Sequence, residues 1–404
     1  MRDPKLETWK YHSKTPKVIT FIVTKDCQLA CKYCYLVGKN NGGRMSLETA
    51  KKAVDYVLDN TIFFNERGAY FDFIGGEPFL EIDLMDSICD YIKIQMYKKK
   101  HPWFDHYAFT VTTNGINYDS EKVQNFIKKN RGHLQVGLTI DGTKGKHNLN
   151  RVYKNSGKGS YDDVVRNIPL WLSQFPNDST KVTLSSEDLP YVCESVLHLF
   201  HLGIHRIYMN CVNEQVWKDG DDLVFENQLI MLADEMIDKE LYVDFSCSIF
   251  DDSIGKPDSN NENWCGSGKM LAIDSVGNFY PCIRFVDFSL RDKLPRIIGN
   301  IHEGIDPNKI RPFILLNKQT QSPEMCLKCD VAKGCSWCQG ENYDSAETDT
   351  IYQRATATCL MHKARVRANN YYWNKLFMHI QQGGQEMSAS IDDTPPFAAN
   401  PNIC

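Results

Sequence analysis

No apolar run in the 404-residue chain approaches the roughly 18 residues that a membrane-spanning helix needs. The first segment, Met1 to Lys17, is polar and basic and has no apolar core of the kind an export signal carries. Positive charge is not in excess: the formal net charge is -5, which argues against a nucleic-acid partner held by bulk electrostatics. Internal repeats and low-complexity segments are also missing, which excludes repeat and compositionally disordered architectures. What remains is a cytoplasmic globular protein that contacts neither membrane nor nucleic acid. The composition, 42% hydrophobic and 24% charged, fits that class, and the length admits more than one domain.

Cysteine, by contrast, is abundant, with 15 residues. A large chain without an export signal uses clustered cysteines as metal or cluster ligands rather than as disulfides. Three sit at Cys27, Cys31 and Cys34, and seven more fall between Cys265 and Cys359. Cys89, Cys193, Cys211, Cys247 and Cys404 are scattered. Of these, Cys89 and Cys193 lie in helical stretches and read as small buried hydrophobes.

Up to about residue 245 the chain alternates β-rich runs with amphipathic helical stretches. Strands are expected at 18–23, 70–74, 108–112, 134–140, 181–184 and 205–210. Helices are expected after Ser46 and at 84–97, 121–129, 161–172, 192–202 and 225–238. Six strand–helix units imply a parallel sheet with right-handed crossovers and too few units for a full eightfold barrel. The expected fold is therefore α/β, a partial (β/α)6 TIM-like barrel whose ligands sit at the C-terminal strand ends. Residues 251–263 read as a linker, 265–340 as short strands and turns with little helical periodicity, and 358–380 as a helix. The expected domains are a 1–17 extension, an 18–245 barrel, a 246–380 cysteine-rich domain and a 381–404 tail.

Cys27-x3-Cys31-x2-Cys34 begins three residues past the first strand. Three close thiolates can hold an iron–sulfur cubane and leave one iron open to a chelating ligand; a zinc site completed by a remote ligand is the other reading. Further unusual residues fall at successive strand ends: Gly75-Gly76-Glu77-Pro78, Thr113-Asn114-Gly115, Thr139-Ile140-Asp141-Gly142 followed by His147 and Arg151, and Asn210. Over roughly residues 18–245 this series resembles the radical S-adenosylmethionine (SAM) superfamily. The resemblance implies a [4Fe–4S] cluster on Cys27, Cys31 and Cys34 that reductively splits SAM to a 5′-deoxyadenosyl radical. It also implies Tyr33 near the adenine, Gly75, Gly76 and Glu77 at the SAM amino group, and Asn114, Thr139, Asp141 and Arg151 toward the ribose and carboxylate. Arg151 is the fork for the carboxylate, and Asn210 lines the adenine pocket.

The later cysteines run Cys265-x11-Gly277-x4-Cys282, then Cys326-x2-Cys329-x5-Cys335-x2-Cys338, then Cys359. This pattern resembles the SPASM extension of radical SAM peptide- and protein-modifying enzymes, which binds two auxiliary [4Fe–4S] clusters. One spacing departs from it: the last two cysteines of the central block are separated by two residues where the family has three. The resemblance, carried across position by position, implies that Cys326, Cys329, Cys335 and Cys359 complete one cluster and that Cys265, Cys282 and Cys338 hold the other. Cys247 is the nearest upstream candidate for a fourth ligand; without it an iron stays open to a substrate thiolate. One or two structural zincs are the alternative for the block.

The resemblance implies an enzyme acting on a ribosomally made precursor peptide, with flavodoxin or ferredoxin as electron donor. Segments such as 207–214 and 280–285 are most similar to maturases of Cys-repeat peptides, and a thioether crosslink is the expected product. Carbon–carbon crosslinking is an alternative, as is sulfatase maturation to formylglycine. Sulfatase-maturing enzymes carry an Asp directly after the second cysteine of the extension, where this chain has Ile283 and then Arg284. A non-catalytic carrier is disfavoured by the full SAM-site series. Only 17 residues precede the first strand, so leader recognition is expected from the barrel, the extension or a separate leader-binding protein.

Overall fold

A computed structural model describes residues 16–261 and 265–383. Most of the expected N-terminal extension and tail, with Cys404, lies outside the described residues. Along the chain β1 (Lys17–Thr24) leads to α1 (Leu47–Asp59), β2 (Ala69–Gly75) to α2 (Ile82–Lys98), and β3 (Tyr107–Thr113) to α3 (Glu121–Asn130). Next come β4 (Leu134–Leu138), α4 (Lys144–Asn150), α5 (Tyr161–Val165) and α6 (Ile168–Gln174). β5 (Thr180–Leu184), α7 (Val192–His201), β6 (Arg206–Cys211), α8 (Asp221–Asp238) and β7 (Ser246–Cys247) follow. The short strands β8 (Leu271–Ile273), β9 (Asn278–Tyr280), β10 (Gly299–Asn300) and β11 (Gly304–Ile305) precede α9 (Pro307–Leu315). Three short helices, α10 (Lys318–Gln321), α11 (Glu324–Leu327) and α12 (Gln339–Asp344), lead to the long α13 (Cys359–Gly383).

The chain divides into two compact units. One contains the residues up to Thr139 with Arg151–Asp178 and Ser267–Leu316; the other contains Ile140–Asn150, Ser179–Gly266 and the residues from Asn317 onward. In the first unit β1, β2, β3 and β4 are parallel neighbours. β8 pairs in parallel with the other edge of β1, Ile19 opposite Leu271, and β9, β10 and β11 continue antiparallel. The early part of the cysteine-rich region thus extends the same sheet. β1, flanked on both edges, is buried at every position, as a central parallel strand should be. β2 alternates, and its buried Phe73 stacks on Phe21 with ring centroids 5.8 Å apart.

In the second unit β5, β6 and β7 form a parallel three-stranded sheet, with α8 and α13 packed on each other. All six expected strands are present in a mixed α/β fold, β1–β4 parallel in the larger sheet and β5 and β6 parallel in the smaller one.

Helix termini follow local chemistry. Ser46 caps α1 by accepting the Thr49 N–H at 3.0 Å, and Ala50, Val54 and Val57 form the helix's buried stripe. The helix expected over 161–172 is two helices. Pro169 stands in the first turn of α6, where a missing N–H costs nothing, and Asn167 at the break donates to the Gly115 carbonyl at 2.8 Å. α9 was not legible as a helix; Asp306 caps it and Pro307 opens it. Among the described residues no helix is long and apolar enough to cross a membrane.

Candidate active site

The loop after β1 carries Cys27, Cys31 and Cys34. Cys27 is buried, the other two are half-buried, and the Cys34 N–H closes a turn onto the Cys31 carbonyl. The segment after Arg151 braces this loop: Ala30 N–H donates to Val152 O at 2.8 Å, and Lys154 N–H to Gln28 O at 2.9 Å. The Cys27 N–H donates to Asn40 Oδ1 at 2.9 Å. Its sulfur accepts from Leu29 N at 3.3 Å and faces Asn114 Nδ2 at 3.9 Å. Burial and the nearby Glu77 carboxylate push the thiol up to about 11. Iron ligation deprotonates such a thiol outright, and N–H groups aimed at the sulfur suit a cluster thiolate. Three thiols on one braced loop, with donors on the buried sulfur, fit a cubane.

Gly75 and Gly76 are required by close backbone approach. A Cβ on Gly75 would lie 2.2 Å from the Thr24 carbonyl oxygen, and one on Gly76 2.2 Å from that of Asp26. Without side chains, Gly76 N–H donates to Thr24 O at 3.0 Å and Glu77 N–H to Asp26 O at 2.8 Å, tying the loop after β2 to the cysteine loop. The buried Glu77 carboxylate accepts from Phe79 N at 3.1 Å, Thr113 Oγ1 at 2.7 Å and Asn114 N at 2.7 Å. Burial raises its pKa, opposed by these donors and by the charge of Arg151. Asn114 in turn donates to Gln28 Oε1 at 3.1 Å.

Arg151 is buried, and one guanidinium nitrogen donates to the Tyr33 hydroxyl at 2.8 Å. Thr139, also buried, donates its N–H to Thr113 O at 3.0 Å. The first unit therefore brings together Cys27, Cys31, Tyr33, Cys34, Gly75, Gly76, Glu77, Asn114, Thr139 and Arg151.

Asp141 and Asn210 belong to the second unit. Asp141 is wholly buried; its Oδ1 accepts from Thr183 N at 3.3 Å, and its N–H donates to His147 Nδ1 at 3.2 Å. The same segment holds a buried ion pair, Lys146 Nζ to Asp188 Oδ1 at 3.7 Å. Asn150 and Ser185 donate to Asp188 as well. Asn210 is half-buried at the end of β6, and its Oδ1 is buried with no protein partner among the described residues.

Cys326, Cys329, Cys335 and Cys359 line one cavity in the second unit, together with Arg354 and His362. Burial raises the Cys326 and Cys335 thiols, and the Arg354 charge opposes it. His362 is pushed down by burial and bonds Val331 O through Nε2. Among the described residues no three His, Cys, Asp or Glu side chains converge on a single metal ion. The four thiols line that cavity together with the Arg354 cation, a donor set that fits a negatively charged iron–sulfur group. Cys338 is buried at the N-terminus of α12, its sulfur accepting from Glu341 N at 3.5 Å. Cys265 belongs to the second unit and Cys282 to the first. Cys247 is buried on β7, raised to about 11 by burial, with Arg365 as its charged neighbour.

Two arginines escaped the sequence reading of the site. Arg354 stands alone between Cys338 and Cys359, where no spacing marks it. Arg284 departs from the sulfatase-maturing pattern in sequence; in the fold it is buried, with its guanidinium 4.7 Å from the centroid of the ring of Tyr35, the residue after Cys34.

The family description "Radical SAM superfamily" matches residues 21–184. The serine-type anaerobic sulfatase-maturating enzyme of Bacteroides thetaiotaomicron is 25% identical over 368 residues, covering 82% of this chain and 84% of that enzyme. The antilisterial bacteriocin subtilosin biosynthesis protein AlbA of Bacillus subtilis is 24% identical over 333 residues, covering 80% and 67%. Among solved structures, anSMEcpe with bound AdoMet and Cp18Cys peptide matches with a TM-score of 0.68 at 22% identity, over 91% of this chain and 99% of that one, a likeness of fold.

Proposed function

We propose that this chain, a radical SAM enzyme with SPASM-type maturases among its relatives, matures a ribosomally made precursor peptide by joining a cysteine sulfur to a carbon as a thioether. The observation that carries the reading is Arg284. The sulfatase-maturing pattern asks for an Asp base directly after the second cysteine of the extension. Cys282 is followed instead by buried Ile283 and by Arg284, whose cation lies over Tyr35. A permanently charged guanidinium cannot take a substrate proton, but it does favour an anionic group such as a thiolate. The likeness to a bacteriocin biosynthesis protein supports a peptide substrate.

The family implies a [4Fe–4S] cluster and SAM, which when bound supply a 5′-deoxyadenosyl radical that removes a substrate hydrogen atom. Cys27, Cys31 and Cys34 would hold that cluster. Arg151, oriented by Tyr33, would take the methionine carboxylate through charge-assisted hydrogen bonds. The loop at Gly75, Gly76 and Glu77 would meet the SAM amino group, with Asn114 and Thr139 beside it. Glu77 acts by locking the loops after β2 and β3 together, since its oxygens are engaged by protein donors. Two auxiliary clusters complete the reading, one on Cys326, Cys329, Cys335 and Cys359. A flavodoxin or ferredoxin is the electron donor.

The test is anaerobic incubation of reconstituted enzyme with SAM, a reductant and a Cys-containing precursor peptide. The expected product has lost one pair of hydrogen atoms and one alkylatable thiol, alongside 5′-deoxyadenosine. A product that lost the hydrogens but kept every thiol would make the link carbon–carbon. A hydrazine-reactive aldehyde in place of a thiol would return the chain to the sulfatase-maturing class.

A further inference from the structure

The cavity lined by Cys326, Cys329, Cys335 and Cys359 also contains a guanidinium held from three sides. Arg354 donates one nitrogen to Cys335 Sγ at 3.2 Å and the other to Ser322 Oγ at 3.2 Å. Its guanidinium carbon stands 4.5 Å from the centroid of the Trp337 ring. The Trp337 side chain is itself buried, and its Nε1 has no protein partner among the described residues. Stacking, a hydroxyl acceptor and a thiol acceptor together fix the plane of the fork, so the charge is placed rather than mobile. His362 and Lys363 line the same cavity, and His362 Nε2 bonds Val331 O rather than a thiol.

A group bound by four thiolates is strongly negative, and each reduction adds a further negative charge. A fixed cation and an N–H···S hydrogen bond stabilise the reduced form more than the oxidised form. We propose that Arg354 raises the reduction potential of the cluster on Cys326, Cys329, Cys335 and Cys359, making that site an electron acceptor. The step concerned is uptake of one electron from a low-potential one-electron donor; no bond forms or breaks and no proton is needed. Arg354 is a positioning residue here, not a ligand. The inference rests on the auxiliary-cluster reading above.

The experiment is a redox titration of reconstituted full-length enzyme followed by electron paramagnetic resonance, with iron counted in parallel. Cys326→Ala and Cys359→Ala should each lower iron by about four per chain and remove one signal, which identifies it. In Arg354→Met that signal should persist with its midpoint moved to more negative potential. The reduced-to-oxidised ratio at a fixed potential should fall by about tenfold, ~59 mV for a one-electron couple. Arg354→Lys, which keeps the charge but loses the fork, should recover part of the shift. If iron is retained and the midpoint of Arg354→Met equals wild type, the inference is overturned while the cluster reading stands. If Met and Lys variants both lose the iron, Arg354 is a structural clamp and the inference is again overturned. If the two cysteine variants keep full iron, the cluster reading itself fails.

Discussion

The Glu77 carboxylate accepts the backbone N–H of Asn114 at 2.7 Å while Asn114 Nδ2 reaches back toward Cys27 Sγ at 3.9 Å. Three consecutive strand-end loops, after β1, β2 and β3, are thereby tied through one buried acid. Glu77→Ala would strand donors from Phe79, Thr113 and Asn114 in a buried site. Each unsatisfied donor costs about 1–3 kcal/mol, so anaerobic denaturant unfolding should show a loss of at least that size. Wild-type stability in this variant would mean the loops are held by other contacts.

Arg151→Ala should weaken SAM binding by about 1.5–3 kcal/mol, the range for a charge-assisted hydrogen bond, while cluster iron stays normal. Isothermal titration with SAM measures the first and iron analysis the second. Tyr33→Phe should weaken binding less, because it removes only the hydroxyl that orients the guanidinium at 2.8 Å. Unchanged affinity in Arg151→Ala would place the carboxylate elsewhere.

Asp72, in the middle of β2, accepts from Thr110 Oγ1 at 2.7 Å, and burial raises it from 3.8 to about 6. A carboxyl whose folded value is raised binds its proton more tightly in the folded state. Its contribution to stability is complete below about pH 4 and is lost as the pH climbs through about 6. Across that window the wild type should lose stability relative to Asp72→Asn, which cannot titrate. Denaturation midpoints of both proteins at several pH values check this; parallel curves would contradict it.

Lys146→Met removes one partner of an ion pair whose two side chains are 0% and 0% exposed. The Asp188 carboxylate would then be buried without its countercharge, at a cost of about 3–5 kcal/mol. The double variant Lys146→Met, Asp188→Asn should regain part of it. An equilibrium unfolding series on these two variants and on Asp188→Asn alone tests the coupling, and additive losses would argue that the pair does not act as a unit.

The elements were legible because their signals are local. β1 reads as a buried run, α1 as a stripe behind Ser46, and the cysteine triplet as a spacing. The candidate site residues stood out as a series because short motifs recur in order after successive strands. Glycines 75 and 76 were marked by the sequence, but their physical reason was not: the backbone carbonyls of Thr24 and Asp26 occupy the space a Cβ would need. The helix break at Asn167 escaped periodicity because it depends on a hydrogen bond to Gly115, 52 residues away in the chain.

The sequence alone determined the class of chemistry, since ligand type and spacing are properties of a few adjacent residues. It also determined the strand–helix order, through alternation and capping. Only the tertiary structure decided which charged residues stand beside those cysteines and aromatic rings. Arg354 meets Cys335 from 19 residues away, Arg284 stacks over Tyr35 from far along the chain, and β8 joins β1 across more than two hundred residues. Charge and packing act through distance in space, and nothing in the local pattern of a sequence encodes that distance.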